Sequence, residues 1–268
     1  MMLKLGAGQA LYYEYEAPAP GKPVFVFINA LTGSTTAWQA EIGPILREQG
    51  FGTLCYNFRG QAESVFAEGE VLDADTITGD LMKLVEEIAP PDPILVGLSI
   101  GGLYGAQAFL KGMNVHGLVL INTLRKPGTV LSWINEAASR AAGLGGAGLI
   151  MDMYLPMLVG PVFLEKMRGN CLGDAPYTAM EESEGAMQLM LHSRSANWDV
   201  DYEKLSLPVL VMTGLRDRVF YNAADVAELQ KRLSNVREIT YADYGHLLPM
   251  EAGAETASAL AGFADSIA

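Results

Sequence analysis

Histidine and cysteine are both scarce, with three His and two Cys among 268 residues. Two cysteines build no disulfide framework. Cys55 lies in the apolar run GTLCYNF and reads as a small buried hydrophobe. No Cys/His spacing suits a metal site, so neither a metal nor an organic cofactor is expected. Positive charge is short as well: 18 Lys+Arg face 31 Asp+Glu, a net charge of −13, and no basic stripe occurs. Nucleic acid and anionic membrane surfaces would be repelled, which leaves a small molecule as the expected partner. The opening MMLKLGAGQALYYEYEAPAP has no basic-then-apolar leader layout, and its Leu11, Tyr13 and Tyr15 alternate with acids as in a strand. A reducing, cytoplasmic setting is therefore expected.

Long hydrophobic runs are equally few. Residues 141–164 form one, but it holds five Gly, two Pro and Asp152, and a pocket-lining role is expected for it. Its Gly143-x-Gly145-x-x-Gly148 follows helix-like NEAASRAA instead of a strand, so it is not a dinucleotide fingerprint.

What the chain does have is half its residues apolar and only 18% charged, the composition of a packed domain. Short apolar runs recur at residues 23–30, 52–58, 93–99, 115–123, 208–214 and 237–243. They are nearly continuous in Val, Ile and Leu, as strands buried on both faces must be. Helix-like segments separate them, which predicts an α/β fold: a mostly parallel central sheet with helices on both faces and an antiparallel ribbon at its start. No strand signal occurs between Gly128 and Leu205. The expected division is a core of residues 1–128 and 205–268, with residues 129–204 as a helical cap over the carboxyl edge of the sheet. The methionines of that segment, Met151 to Met190, are expected to fill an irregular core and to form an apolar roof.

The chemistry gathers at Gly97-Leu98-Ser99-Ile100-Gly101, a G-x-S-x-G between a predicted strand and a predicted helix. A sharp strand-to-helix corner projects the hydroxyl of Ser99, and its neighbours two positions away must be small. The helix start then offers free N–H groups, that of Ile100 among them, to a developing oxyanion. A serine needs a base, itself oriented by an acid. His116 opens a strand at the inactive edge and His192 sits within the insertion. His246 follows the last strand at the carboxyl edge and is the candidate base. Asp217 leaves the preceding strand and is the candidate acid, with Asp243 as its competitor. The order is Ser99, Asp217, His246.

With these motifs the chain resembles the α/β-hydrolase superfamily over nearly its whole length. FINALTGSTTAW (residues 27–38) sits where the family has His-Gly before its oxyanion loop, and the resemblance makes Leu31 the second N–H donor. NFRGQAES (residues 57–64) looks like the family's Asp-x-Arg-Gly-x-Gly-x-Ser turn, with Arg59 as a structural corner. Asn29, Ala30, Asn57, Gln61 and Ala62 depart from the family pattern. Asn29 before a small residue and Leu resembles the enol-lactonase and carboxylesterase branch, and NALTGS resembles homoserine acetyltransferases. The implied activity is hydrolysis of a carboxylic ester or lactone of small to medium, largely apolar acyl character. Carbon–carbon bond hydrolysis, acyl transfer and ligand binding without turnover stay open. Asn29, Trp38 and Arg125 are candidate substrate contacts. For Arg125 and Lys126 the favoured expectation is solvation or pairing with Asp174, Glu181 or Glu182. Arg216 and Arg218 are expected in loop ion pairs. The acidic surface favours a neutral substrate.

Overall fold

The computed structural model describes residues 1–268. Eight strands form one sheet: β1 (Met2–Gly6), β2 (Gln9–Glu16), β3 (Val24–Ile28), β4 (Gly52–Tyr56), β5 (Pro93–Leu98), β6 (Gly117–Ile121), β7 (Val209–Gly214) and β8 (Val236–Tyr241). The spatial order is β1-β2-β4-β3-β5-β6-β7-β8. β1 and β2 form an antiparallel ribbon, β2 runs antiparallel to β4, and every later pairing is parallel. The mostly parallel sheet and its antiparallel opening follow the pattern of the sequence.

The continuous apolar runs have a direct cause. Along β3, Val24, Val26 and Ile28 enter the core on one face, while Phe25 and Phe27 enter the core on the other. One face is covered by α3 (Ala74–Ile88), α4 (Ile100–Leu110) and α8 (Ala223–Gln230), and the other by α1 (Thr36–Gln39), α2 (Ile42–Glu48) and α10 (Gly253–Ile267). β8 departs from the expected pattern. It is the edge strand, so Arg237, Glu238 and Thr240 are exposed and its run is not continuously apolar.

Between β6 and β7 the chain forms helices and no strand: α5 (Thr129–Leu158), α6 (Pro161–Met167) and α7 (Gly185–Ser193). Met187 and Met190 pack with Ala142 in a small core of their own. By length and composition α5 is apolar enough to cross a membrane. It is broken at Gly146 (φ +62°), and neither part reaches the roughly 20 residues a span requires.

After β8 a short loop, residues 242–247, leads into α9 (Leu248–Glu251) and then α10. The carboxyl ends of β3, β5, β6, β7 and β8 thus lead into Asn29, Ser99, Asn122, Asp217 and His246 at one edge. The opposite edge carries His116, whose ring lies 2.9 Å from the Ile267 carbonyl. A larger, open recess of about 480 Å³ borders His116 there, remote from Ser99.

Candidate active site

Ser99 occupies φ +57° and ψ −119° between β5 and α4, a conformation that costs a non-glycine residue about 1–3 kcal/mol. Its surroundings impose that conformation. The Ser99 N–H donates to the Ile121 carbonyl at 2.8 Å, and Thr123 Oγ1 donates to the Ser99 carbonyl at 3.0 Å. The flanking glycines have no room to be anything else. A Cβ on Gly97 would lie 2.2 Å from the Gly102 nitrogen, and one on Gly101 would lie 2.4 Å from the Ile28 carbonyl oxygen.

The His246 ring meets Asp217 with Nδ1 2.6 Å from Oδ2, and both residues are buried. The other carboxylate oxygen of Asp217 accepts from Val219 N–H (3.0 Å) and Phe220 N–H (2.9 Å). Burial alone would raise the Asp217 pKa. The His246 ring and these two N–H donors outweigh it and hold the carboxyl below its ordinary range. An ionised carboxylate can only accept, so Nδ1 carries the ring proton and Nε2 is left as the basic nitrogen. Asp243, the competing acid, is exposed and pairs with Arg216 at 3.3 Å, far from this role. His192 is also otherwise engaged, its Nδ1 accepting from the Leu72 N–H at 3.0 Å.

Ser99, His246, Leu31 and Ile100 line one cavity of about 160 Å³. The Leu31 N–H meets no acceptor in the chain, and Ile100 opens α4, where an N–H has no helical carbonyl to bond. Ile134, Ala138 and Ile150 of α5 and Met190 of α7 supply an apolar wall. Arg125 is the only lysine, arginine or acidic residue on the lining.

Arg125 corrects the expectation from sequence. It is neither solvated nor paired with an acid of the insertion: it is buried, and its Nη2 donates to Ser99 Oγ and to the Asn122 carbonyl, both at 2.9 Å. Its guanidinium carbon lies over the rings of Trp198 (4.4 Å to the centroid) and Phe220 (4.3 Å). Its Nε is buried without a partner, which costs about 1–3 kcal/mol. Desolvation lowers its pKa to about 10, so it remains a cation at neutral pH. Lys126 pairs with Glu228 of α8 instead of with an insertion acid. Ser99 Oγ is hydrogen-bonded to Arg125 and not to His246.

A sequence profile of the α/β-hydrolase fold matches residues 23–253. The chain belongs to the α/β-hydrolase fold family. It is 34% identical over 118 residues to a protein of Variovorax paradoxus strain S110 named carbamate hydrolase RutD, a match that spans 44% of each chain. With 3-oxoadipate enol-lactonase 2 of Acinetobacter baylyi strain ADP1 it shares 24% identity over 199 residues, 74% of this chain and 73% of the other. Among solved structures, the α/β hydrolase MGS-M2 from a Medee basin deep-sea metagenome superimposes with a TM-score of 0.82 at 19% identity, covering 98% of this chain and 96% of its own.

Asn29 and Trp38, candidate substrate contacts by sequence, do not line this cavity. Both are fully buried beneath the Leu31 loop. Trp38 Nε1 donates to Asn29 Oδ1 at 2.8 Å. Asn29 Nδ2 donates to the Tyr56 carbonyl (2.9 Å), Gln61 Oε1 (3.0 Å) and Asn57 Oδ1 (3.3 Å). Gln61 Nε2 in turn donates to the carbonyls of Ala30 and Leu31, each at 2.9 Å. Three of the departures from the family pattern, at 29, 57 and 61, are therefore one hydrogen-bonded cluster under the loop that presents the Leu31 N–H. Arg59 is a structural corner as expected, ion-paired with Asp80 at 2.7 Å and with Glu70. Asn29→Ala would strand the Trp38 N–H and is expected to cost about 2–3 kcal/mol. The measurement is thermal unfolding, where a fall of roughly 5–10 °C is expected.

Several site residues gave no signal in the sequence. Asn122 (φ +48°) donates through Nδ2 to the carbonyls of Gly245 (3.0 Å) and His246 (2.9 Å) and accepts the Gly214 N–H at 2.8 Å. It ties the loops of Asp217 and His246 together, and its place at the end of β6 was the one clue. Glu251 accepts N–H bonds from Gly160 (2.6 Å), Gly245 (2.9 Å) and Leu247 (3.0 Å). The end of α5 is held to the same loops, since the N–H groups of Arg218 and His246 donate to the carbonyls of Met157 and Leu158. Trp198 and Phe220 have no periodicity that marks them.

Proposed function

We propose that this hydrolase cleaves carboxylic esters or lactones by a two-step acyl transfer to water. Ser99 Oγ attacks the carbonyl carbon as His246 Nε2 takes its proton, and Asp217 orients and balances the imidazolium. The N–H groups of Leu31 and Ile100 receive the oxyanion. On collapse, the C–O bond breaks and His246 protonates the departing alcohol. Water then repeats the sequence on the acyl-enzyme and restores Ser99. Rotation of the Ser99 side chain from Arg125 toward His246 is the motion this needs, and such hydrogen bonds commonly close only when substrate is bound.

The observation that carries the reading is the 2.6 Å His246–Asp217 contact beside a serine held at φ +57° on the same cavity. The relatives support it, since carbamates and lactones both present a carbonyl carbon bonded to oxygen. A cavity of about 160 Å³ with an apolar wall suits a small acyl group, about the size of a benzene ring. Residues 129–204 serve as its cap.

A fluorophosphonate probe tests the reading. The wild-type protein is expected to be labelled, and Ser99→Ala and His246→Ala are not. A folded wild type that resists labelling would sink the triad and favour ligand binding without turnover. Product analysis on a panel of small esters and lactones separates hydrolysis from acyl transfer.

A further inference from the structure

The cation on the cavity wall is left over by the proposed chemistry. Hydrolysis of a neutral ester needs a nucleophile, a base, an acid and two N–H donors, and none of those is Arg125. Its burial is nonetheless maintained without a salt bridge. Asp217, the nearest relevant carboxylate, has both oxygens taken by His246, Val219 and Phe220. The five N–H bonds of the guanidinium find two acceptors in the chain, both through Nη2, and Nε finds none. Trp198 and Phe220 both pack against the guanidinium carbon and hold the group in the cavity wall, and neither ring offers it an acceptor oxygen.

We propose that Arg125 forms a carboxylate subsite beside the nucleophile, and that the substrate is an ester or lactone bearing a free carboxylate close to its scissile carbonyl. The proposal rests on the hydrolase reading above and names its substrate class. Closeness follows from geometry: Nη2 is 2.9 Å from Ser99 Oγ, so a carboxylate on the same guanidinium lies within a few bonds of the carbon that Oγ attacks. A planar guanidinium suits a two-oxygen acceptor better than a hydroxyl. The carboxylate takes the donor that now holds Ser99 Oγ, which releases the hydroxyl to His246. An anionic substrate thereby frees its own nucleophile. The acidic surface, which pointed to a neutral substrate, slows encounter in a salt-dependent way. It does not decide what the cavity retains.

The test compares ester pairs that differ in one charge. Mono-p-nitrophenyl succinate against p-nitrophenyl butyrate places the carboxylate on the acyl side, and 2-acetoxybenzoate against 2-acetoxybenzamide places it on the leaving group. For wild type, kcat/KM is expected to favour the charged member of at least one pair, with that preference about 10- to 100-fold greater than in Arg125→Gln. Arg125→Lys should restore part of it. A preference in the first pair assigns the subsite to the acyl portion, and in the second to the alcohol. Equal ratios in wild type and Arg125→Gln in both pairs overturn the subsite, while turnover of the neutral esters shows that the hydrolase reading stands. Levulinate, a non-hydrolysable keto acid, gives a readout independent of turnover. It is expected to raise the melting temperature of wild type and not of Arg125→Gln, and an equal rise in both overturns the proposal.

Discussion

Ser99→Gly is expected to melt about 2–4 °C above Ser99→Ala while both variants are inactive. Each removes the hydroxyl and its bond from Arg125, so that loss cancels between them. What differs is the backbone. At φ +57° and ψ −119° alanine keeps the strain of serine, and glycine escapes most of it, a gain of about 1 kcal/mol or more. For a chain of this size that corresponds to the stated shift in Tm. Both should lose kcat by about 10⁵- to 10⁶-fold against a p-nitrophenyl ester, the magnitude expected when the nucleophile of a triad is removed. Differential scanning calorimetry and the esterase assay together check the pair. Identical melting temperatures would show that the corner is relaxed, and retained turnover in either would remove Ser99 from the mechanism.

Gly245→Ala should cost kcat at least about 100-fold although the residue carries no functional group. A Cβ there would lie 2.0 Å from the Leu158 carbonyl oxygen, which accepts the His246 N–H. The neighbouring chains cannot yield, because they are just as close. A Cβ on Gly214 would meet the Gly245 oxygen at 2.0 Å, and one on Gly160 would meet the Asp243 oxygen at 2.1 Å. The loop must therefore move, and it carries His246 with it. A displacement of about 1 Å in a catalytic group suffices for a loss of that order. The control is Gly262→Ala on α10, where nothing beyond the helix's own backbone lies within 4 Å of the added methyl. That variant should keep full activity and gain up to about 1 kcal/mol from helix propensity. Measuring kcat and Tm for both separates loop displacement from general damage. Gly245→Ala with activity within a few-fold of wild type would contradict the close packing.

The sheet was legible because burial on both faces leaves its mark on composition: β3 must be apolar at every position, and VFVFI is. β8 was legible in position but not in character, since a strand's place at an edge is decided by its neighbours. That Ser99, Asp217 and His246 share one edge was legible because each follows a strand, and all parallel strands end at one edge. The side chains around them were not. Asn29 and Trp38 sit within the oxyanion motif, yet whether such residues face the cavity or the floor beneath it depends on backbone path. Arg125 was misjudged for a similar reason. An arginine after a core strand is ordinarily drawn outward by solvent, and only the Trp198 and Phe220 rings, distant in sequence, reverse that here. Asn122 and Glu251 act on backbone atoms, which leave no trace in the identity of their partners.

The insertion is secured unevenly. The end of α5 and the residues after it, Met157 to Gly160, are bonded to the loops of Asp217 and His246 and to Glu251, whereas residues 168–184 between α6 and α7 are almost entirely exposed. The insertion is therefore not one unit in its coupling to His246. Lengthening or exchanging the exposed stretch, none of which lines the cavity, leaves the histidine where it is. The bonded stretch holds the histidine's loop, and an engineer altering the insertion would leave it untouched.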